Sequence, residues 1–178
     1  ARELVTRFFA RVRPGPPVGR ITDWTPVLDR VKTEVVADNV PQTAVSWAWP
    51  VPGSRADEDQ ALRMASSVLG RGRLSRLHQA LVIDRPLATD VSVNYEAAAI
   101  ARVFNIGLRL KPGGEQAEAG AVLPAELDRF LKDGPTAQEL ERYKITAYGD
   151  NVRSLESLFV RAMMLSGGVI FDDNPGQF

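Results

Sequence analysis

Apolar residues change their spacing several times along this chain, and each change predicts an element. In residues 2–13, Leu4, Val5, Phe8, Phe9 and Val12 fall on one helical face, which should be buried, and Pro14 ends the run. Residues 31–37 and 43–49 are short runs rich in β-branched and aromatic side chains, and both read as strands. In the second, Thr43, Val45, Trp47 and Trp49 alternate with Ala44, Ser46 and Ala48. One face is therefore bulky and the other small, and small side chains let a helix sit close. Pro50, Pro52 and Gly53 end that strand. Asp57, Glu58 and Asp59 then place negative charge at the positive end of a helix whose buried stripe is Leu62, Met64, Ala65, Val68 and Leu69.

A bend at residues 70–73 precedes Ser75, positioned to cap a short helix with Leu77, Ala80 and Leu81 inward. Residues 89–96 and 102–110 alternate as strands, joined by small residues at 97–99. Residues 115–132 are helical in pattern, with Val122, Leu123, Leu127, Phe130 and Leu131 inward and a bend or restart at Gly120 and Pro124. Thr136 and Glu139 have capping-box spacing. From there Leu140, Tyr143, Ala147, Leu155, Leu158, Phe159, Ala162 and Met163 continue a helical face to about Ser166, where Gly167 and Gly168 should end it. The expected fold is α+β, an antiparallel-dominated sheet of about four or more strands with helices on one face.

Length changes this picture little: 178 residues suffice for one domain with a real core. Charge narrows the partners. With 22 basic and 22 acidic residues and no long runs, nothing favours nucleic acid or an anionic membrane. There is no cysteine, which excludes disulfides, thiolate metal sites and cysteine nucleophiles. No apolar run reaches the roughly 18 to 20 residues of a membrane span, so a soluble chain without membrane insertion is expected.

The stretch from Leu69 through Tyr95 carries a family resemblance. Leu69, Gly70, Gly72, Ser75, Arg76, Leu77, Leu87 and Ala88 match, in order, a glycine-rich bend, a Ser-Arg-Leu helix start and a Leu-Ala strand entry. With Gly134-Pro135-Thr136 and Glu139, the pattern resembles the second, non-catalytic domain of insulinase- and pitrilysin-type zinc metallopeptidases over about residues 30–165. The resemblance implies that residues 1–13 are the closing helix of a preceding domain, 14–26 a Pro/Gly-rich linker and 27–178 the second domain. The chain then reads as a fragment of a longer protein.

Catalysis in that family rests on a His-x-x-Glu-His zinc motif. The single histidine, His78, cannot build one, so no catalytic or metal-ligating residue is expected here. Zinc, water activation and the edge strand that takes up the peptide are expected in an adjacent catalytic domain or partner subunit, and peptide is the substrate of the assembled enzyme. The family also binds substrate backbone through an Arg and a Tyr seven positions apart, and Val82 and Thr89 occupy those positions. Arg76 and Arg85 remain as chamber or interface candidates. Arg71, Arg73 and Arg76 could make an anion site, yet lack any phosphate-loop pattern and read as solvated arginines of a bend. Asp57 to Asp59 could suggest a cation, but without spaced oxygen ligands the helix dipole explains them. Trp24, Trp47 and Trp49 could offer an apolar face, with core packing expected for the latter two.

The function implied is that of a wall of the peptide-enclosing chamber of such a peptidase. The alternative is a peptidase-like scaffold or partner-binding subunit that lost its chemistry, and a third is an unrelated α+β binding module. An exported, periplasmic setting is compatible with the absence of cysteine.

Overall fold

A computed structural model describes residues 2–13, 15–16, 19, 25–51, 56–97, 102–113 and 116–176. Its frame is β3 (Arg102–Leu110), where Arg102, Phe104, Ile106, Leu108 and Leu110 point inward and are buried while Val103, Asn105, Gly107 and Arg109 point outward. β1 (Ala44–Val51) and β2 (Ala88–Ala97) flank it, both antiparallel, in the order β1-β3-β2. The α+β, antiparallel class is as expected, but the described sheet has three strands, not four. Residues 31–37 are the missing one. They lie outside any strand, and Val31, Val35 and Val36 are exposed, Val35 to 89%. A β-branched run makes a strand only where a neighbouring strand takes up its hydrogen bonds.

Three helical elements cover the inner face: α2 (Ala56–Gly70), the single turn α3 (Arg76–His78) with its π-helical continuation (Gln79–Asp84), and α4 (Gln116–Asp133). Val68, Leu69, Leu77, Leu81, Leu123 and Phe130 from these elements close on Ile106 and Leu108. The helices thus pack on the bulky face, where Val45 and Trp47 also join the core, and the small face expected to receive a helix is open. Apolar area decides the side: burying Val and Trp side chains is worth far more than burying Ala and Ser. Trp49 packs only at the margin, 39% exposed, tilted against Phe104 at 6.4 Å between ring centroids.

Other boundaries differ for local reasons. Ser75 is the N-cap of α3 by backbone, but its hydroxyl donates back to Gly72 O at 2.7 Å and makes no cap bond. α4 runs unbroken through Gly120 and Pro124, and Leu131 is solvent-facing at 79% exposure, one position past the buried stripe. The last helical run splits at Ser157 into α5 (Ala137–Glu156) and α6 (Leu158–Asp172), bent by 102°. Ser157 caps the second piece through Val160 N. That turn carries Leu158, Phe159, Ala162 and Met163 to solvent instead of onto the expected face.

α6 does not stop at Gly167 and Gly168. It ends at Asp173, in the left-handed region at φ 52°, with Asn174 N donating to Gly168 O. Gly168 still matters, because a Cβ there would meet Asn174 O at 2.3 Å and block the chain folding back. α1 (Arg2–Phe9) forms as its pattern predicts, but its apolar face is exposed among the described residues. Trp24, most of the 14–26 linker, Pro52, Gly53, residues 98–101 and the Asp57 side chain lie outside the described residues. Among the described residues no single helix is long and apolar enough to cross a membrane.

Candidate functional site

An inward-facing arginine on a central strand needs a partner, because an unpaired buried charge is expensive. Arg102 finds two: its guanidinium donates to Asp59 of α2, and to the Tyr95 hydroxyl at 2.6 Å. Arg63 joins from α2, 2.9 Å from Asp59 and stacked over the Tyr95 ring. Burial works to raise the Asp59 pKa, but hydrogen bonds from Arg63 and Tyr95 and the charges of Arg63 and Arg102 hold it below its ordinary value. Burial pushes the Tyr95 hydroxyl up. The cluster rivets α2 to β2 and β3 at one end of the sheet.

At its other end α2 stops in the Gly70 to Arg73 bend, where Gly72 has φ 77°. Gly70 is required by contact, since a Cβ there would stand 2.3 Å from Val93 Cγ2 and 2.9 Å from Val93 N. Two arginines of the bend are paired with acids. Arg71 bonds Asp150 of α5 at 2.6 Å. Arg76 makes a bidentate pair with Glu139, both bonds 2.7 Å, donates to Gly134 O at 2.9 Å and stacks over Phe130. Glu139 also completes the capping box, accepting from Thr136 N at 2.7 Å. The Arg76 hydrogen bonds lower the Glu139 pKa to about 2, against the opposing effect of burial.

Between α2, β2 and α5 lies a groove of about 600 Å³. Its floor is residues 90–95 of β2, whose outer edge has no strand partner among the described residues. Ser66, Ser67 and Gly70 form one wall, and Tyr143, Ala147 and Asp150 form the other. An edge strand presents a row of free N–H and C=O groups, a ready template for an extended chain. Around the corner is the open sheet face, with Ser46, Ala48, Ser92, Asn94, Asn105 and Gly107 at its centre. It is polar and shallow, with Asn105 Nδ2 donating to Ser46 Oγ at 2.7 Å.

The candidate residues fall in different places. Thr89 is the extra residue of a β-bulge, between the Ala88–Leu110 and Asp90–Arg109 pairs, a device that re-aims a side chain. Its hydroxyl lies 3.2 Å from Arg109 O and 3.3 Å from the Gln42 side-chain oxygen. Val82 is half-buried against the core. Arg85 lines a separate groove of about 420 Å³ against α4, with Asp84, Glu118, Glu126 and Arg129. Arg76 is taken up by its pair with Glu139. His78 is half-buried and its Nδ1 has no partner among the described residues. None of those residues forms a cluster of three or more His, Cys, Asp or Glu able to hold a metal, so zinc has no fitting site among them.

Sequence reasoning did not find the Asp59–Arg102–Tyr95 cluster or the β2 groove. The first had a signal, an arginine at an inward position of an alternating strand. The second had none, because Tyr143 and Asp150 reach it from more than forty-five residues away.

Comparison with known proteins adds a second line. The family profile described as "Peptidase M16 inactive domain" matches residues 1–146. Among solved structures, a protease from Helicobacter pylori is similar over 77% of this chain and 33% of its own, at 25% identity and TM-score 0.70. The inactive peptidase domain of a proposed zinc protease from Bordetella parapertussis matches over 77% of this chain and 73% of its own, at 21% identity and TM-score 0.67. The periplasmic protease PqqL from Escherichia coli matches over 98% of this chain but 19% of its own, at 18% identity and TM-score 0.66. The chain thus spans about a third of the Helicobacter protease. Among curated proteins none matches it.

Proposed function

Since the chain belongs to the peptidase M16 inactive-domain family, we propose that it forms a non-catalytic wall of a peptide-enclosing chamber, next to a zinc-bearing domain of the same kind. The observation that carries this reading, and that moves the peptide-pairing edge from the neighbouring domain to this one, is the edge of β2, without a strand partner among the described residues, at the floor of a groove large enough for an extended segment. Six strand residues span roughly 20 Å, so the edge can pair with about six residues of an unfolded peptide. Main-chain pairing recognises any extended sequence, while the small, polar open face tolerates varied side chains.

In this reading residues 1–13 close a preceding domain and 14–26 link it to 27–178. Zinc and water activation belong to the neighbouring domain, and this chain holds and orients the peptide. The periplasmic location of the Escherichia coli neighbour supports an exported setting.

The test uses the intact parent protein and a peptide substrate carrying a photo-crosslinker. Chelator-sensitive cleavage and crosslinks to residues 90–95 are expected. N-methylating alternate amides of the peptide should weaken its binding on the order of a hundredfold, as three lost hydrogen bonds of about 1 kcal/mol each sum to about 3 kcal/mol. Crosslinks confined to the neighbouring domain would sink the groove assignment. Crosslinks to 90–95 without any cleavage would favour the scaffold reading.

A further inference from the structure

The two ends of α5 are attached to the domain very differently. At its start, Glu139 is locked by the bidentate Arg76 pair, both side chains about six-sevenths buried, beneath the capping box and beside the Gly134 turn. At its far end the only ion pair tying it back among the described residues is Arg71–Asp150, with side-chain exposures of 54% and 40%. Between them α5 has no fully buried residue, only Leu140, Tyr143 and Ala147 half-buried and one long bond, Arg142 to Leu74 O at 3.4 Å. A helix fixed at one end and lightly held at the other is a lever. Gly134, at φ 69°, and Pro135 supply the turn at its fixed end.

The groove lies under the lightly held half. Tyr143, Ala147 and Asp150 form its outer wall, and Arg71, which latches Asp150, stands on the bend that forms the opposite one. We infer that α5 is a hinged jaw over the β2 edge, pivoting near Glu139, with the Arg71–Asp150 pair as the latch that sets the width of the groove. Breaking the pair swings the far end of α5 outward and admits a wider segment; forming it clamps a strand in place. As regulation of the β2 groove, this rests on that groove being the peptide site; as a motion, it does not.

The test exploits the absence of cysteine from these 178 residues. In the intact protein, with any other cysteine replaced, spin labels go on Val103→Cys of the central strand and either Asn151→Cys or Gln138→Cys, near the two ends of α5. From Glu139 to Asp150 the lever is about 16 Å long, so a pivot of roughly 20° moves its end by roughly 5 Å. Asp150→Ala should lengthen the 103–151 distance by about that much and leave 103–138 unchanged, with Asp150→Glu restoring the parent distance. About 1 M salt, where the Debye length is about 3 Å, should mimic Asp150→Ala. An unchanged 103–151 distance in Asp150→Ala overturns the jaw, as does a change in both distances together, which would mean that α5 detaches whole. If the 103–151 distance moves while crosslinking to residues 90–95 does not, the jaw stands and the assignment of the groove to peptide falls.

Discussion

The layered region from α2 to α4 and the arm made by α5 and α6 are built on opposite terms. In the first, Leu77, Leu81, Ile106, Leu108 and Leu123 are at most 2% exposed, and the buried charge Arg102 is matched by Asp59. In the second, α5 buries nothing fully and α6 presents Leu158, Phe159, Met163, Val169, Ile170 and Phe171 to solvent. The layer is held by apolar area and the arm by arginines. The two therefore respond to different perturbations.

The sharpest contrast comes from truncating the core. Leu81→Ala, at a fully buried site on the π-helical turn, should cost about 2–5 kcal/mol in denaturant unfolding. A loss below about 1 kcal/mol would mean that the layer is as loosely packed as the arm. Gly70→Ala comes next, at about 1–3 kcal/mol, because the new methyl must displace Val93 and the β2 backbone. Val93→Ala should partly rescue it.

The junction of the two regions is read by acid. Glu139 has a folded pKa of about 2 against an ordinary 4.5, so the stability it contributes is complete above pH 4.5 and is lost as pH falls towards 2. After solvent screening this amounts to about 1–2 kcal/mol. Glu139→Gln should flatten that part of the stability profile, and an unchanged profile would show that the Arg76 pair does not join the regions. Asp150→Ala should act more weakly, with an effect that disappears at about 1 M salt. Least of all, Phe159→Ser on α6, 73% exposed, should leave stability within about 0.5 kcal/mol. A larger loss would place that face against a neighbour.

Much of this was legible in the residues. The alternation of residues 102–110, the capping box at Thr136 and Glu139, and the glycine-rich bend before Ser75 all stand where they were read. They are local, each decided by chain geometry within a few residues. The unpaired run at 31–37, the reversed faces of β1 and the outward turn of α6 were not legible, because each depends on what lies across from it.

The candidate site divides in the same way. That Val82 and Thr89 stand at the positions where the resemblance implies an Arg and a Tyr is an expectation from sequence; that Thr89 sits in a bulge and Val82 against the core is read only from the structure. The sequence by itself determined most of the elements, the family and the residue types available for chemistry, since periodicity, turn residues and motif order are properties of the chain alone. Only the tertiary structure decided which arginine is bound to which acid, which sheet face is open and which strand edge lacks a partner. Those depend on residues far apart in sequence coming together, and no spacing along the chain encodes that distance.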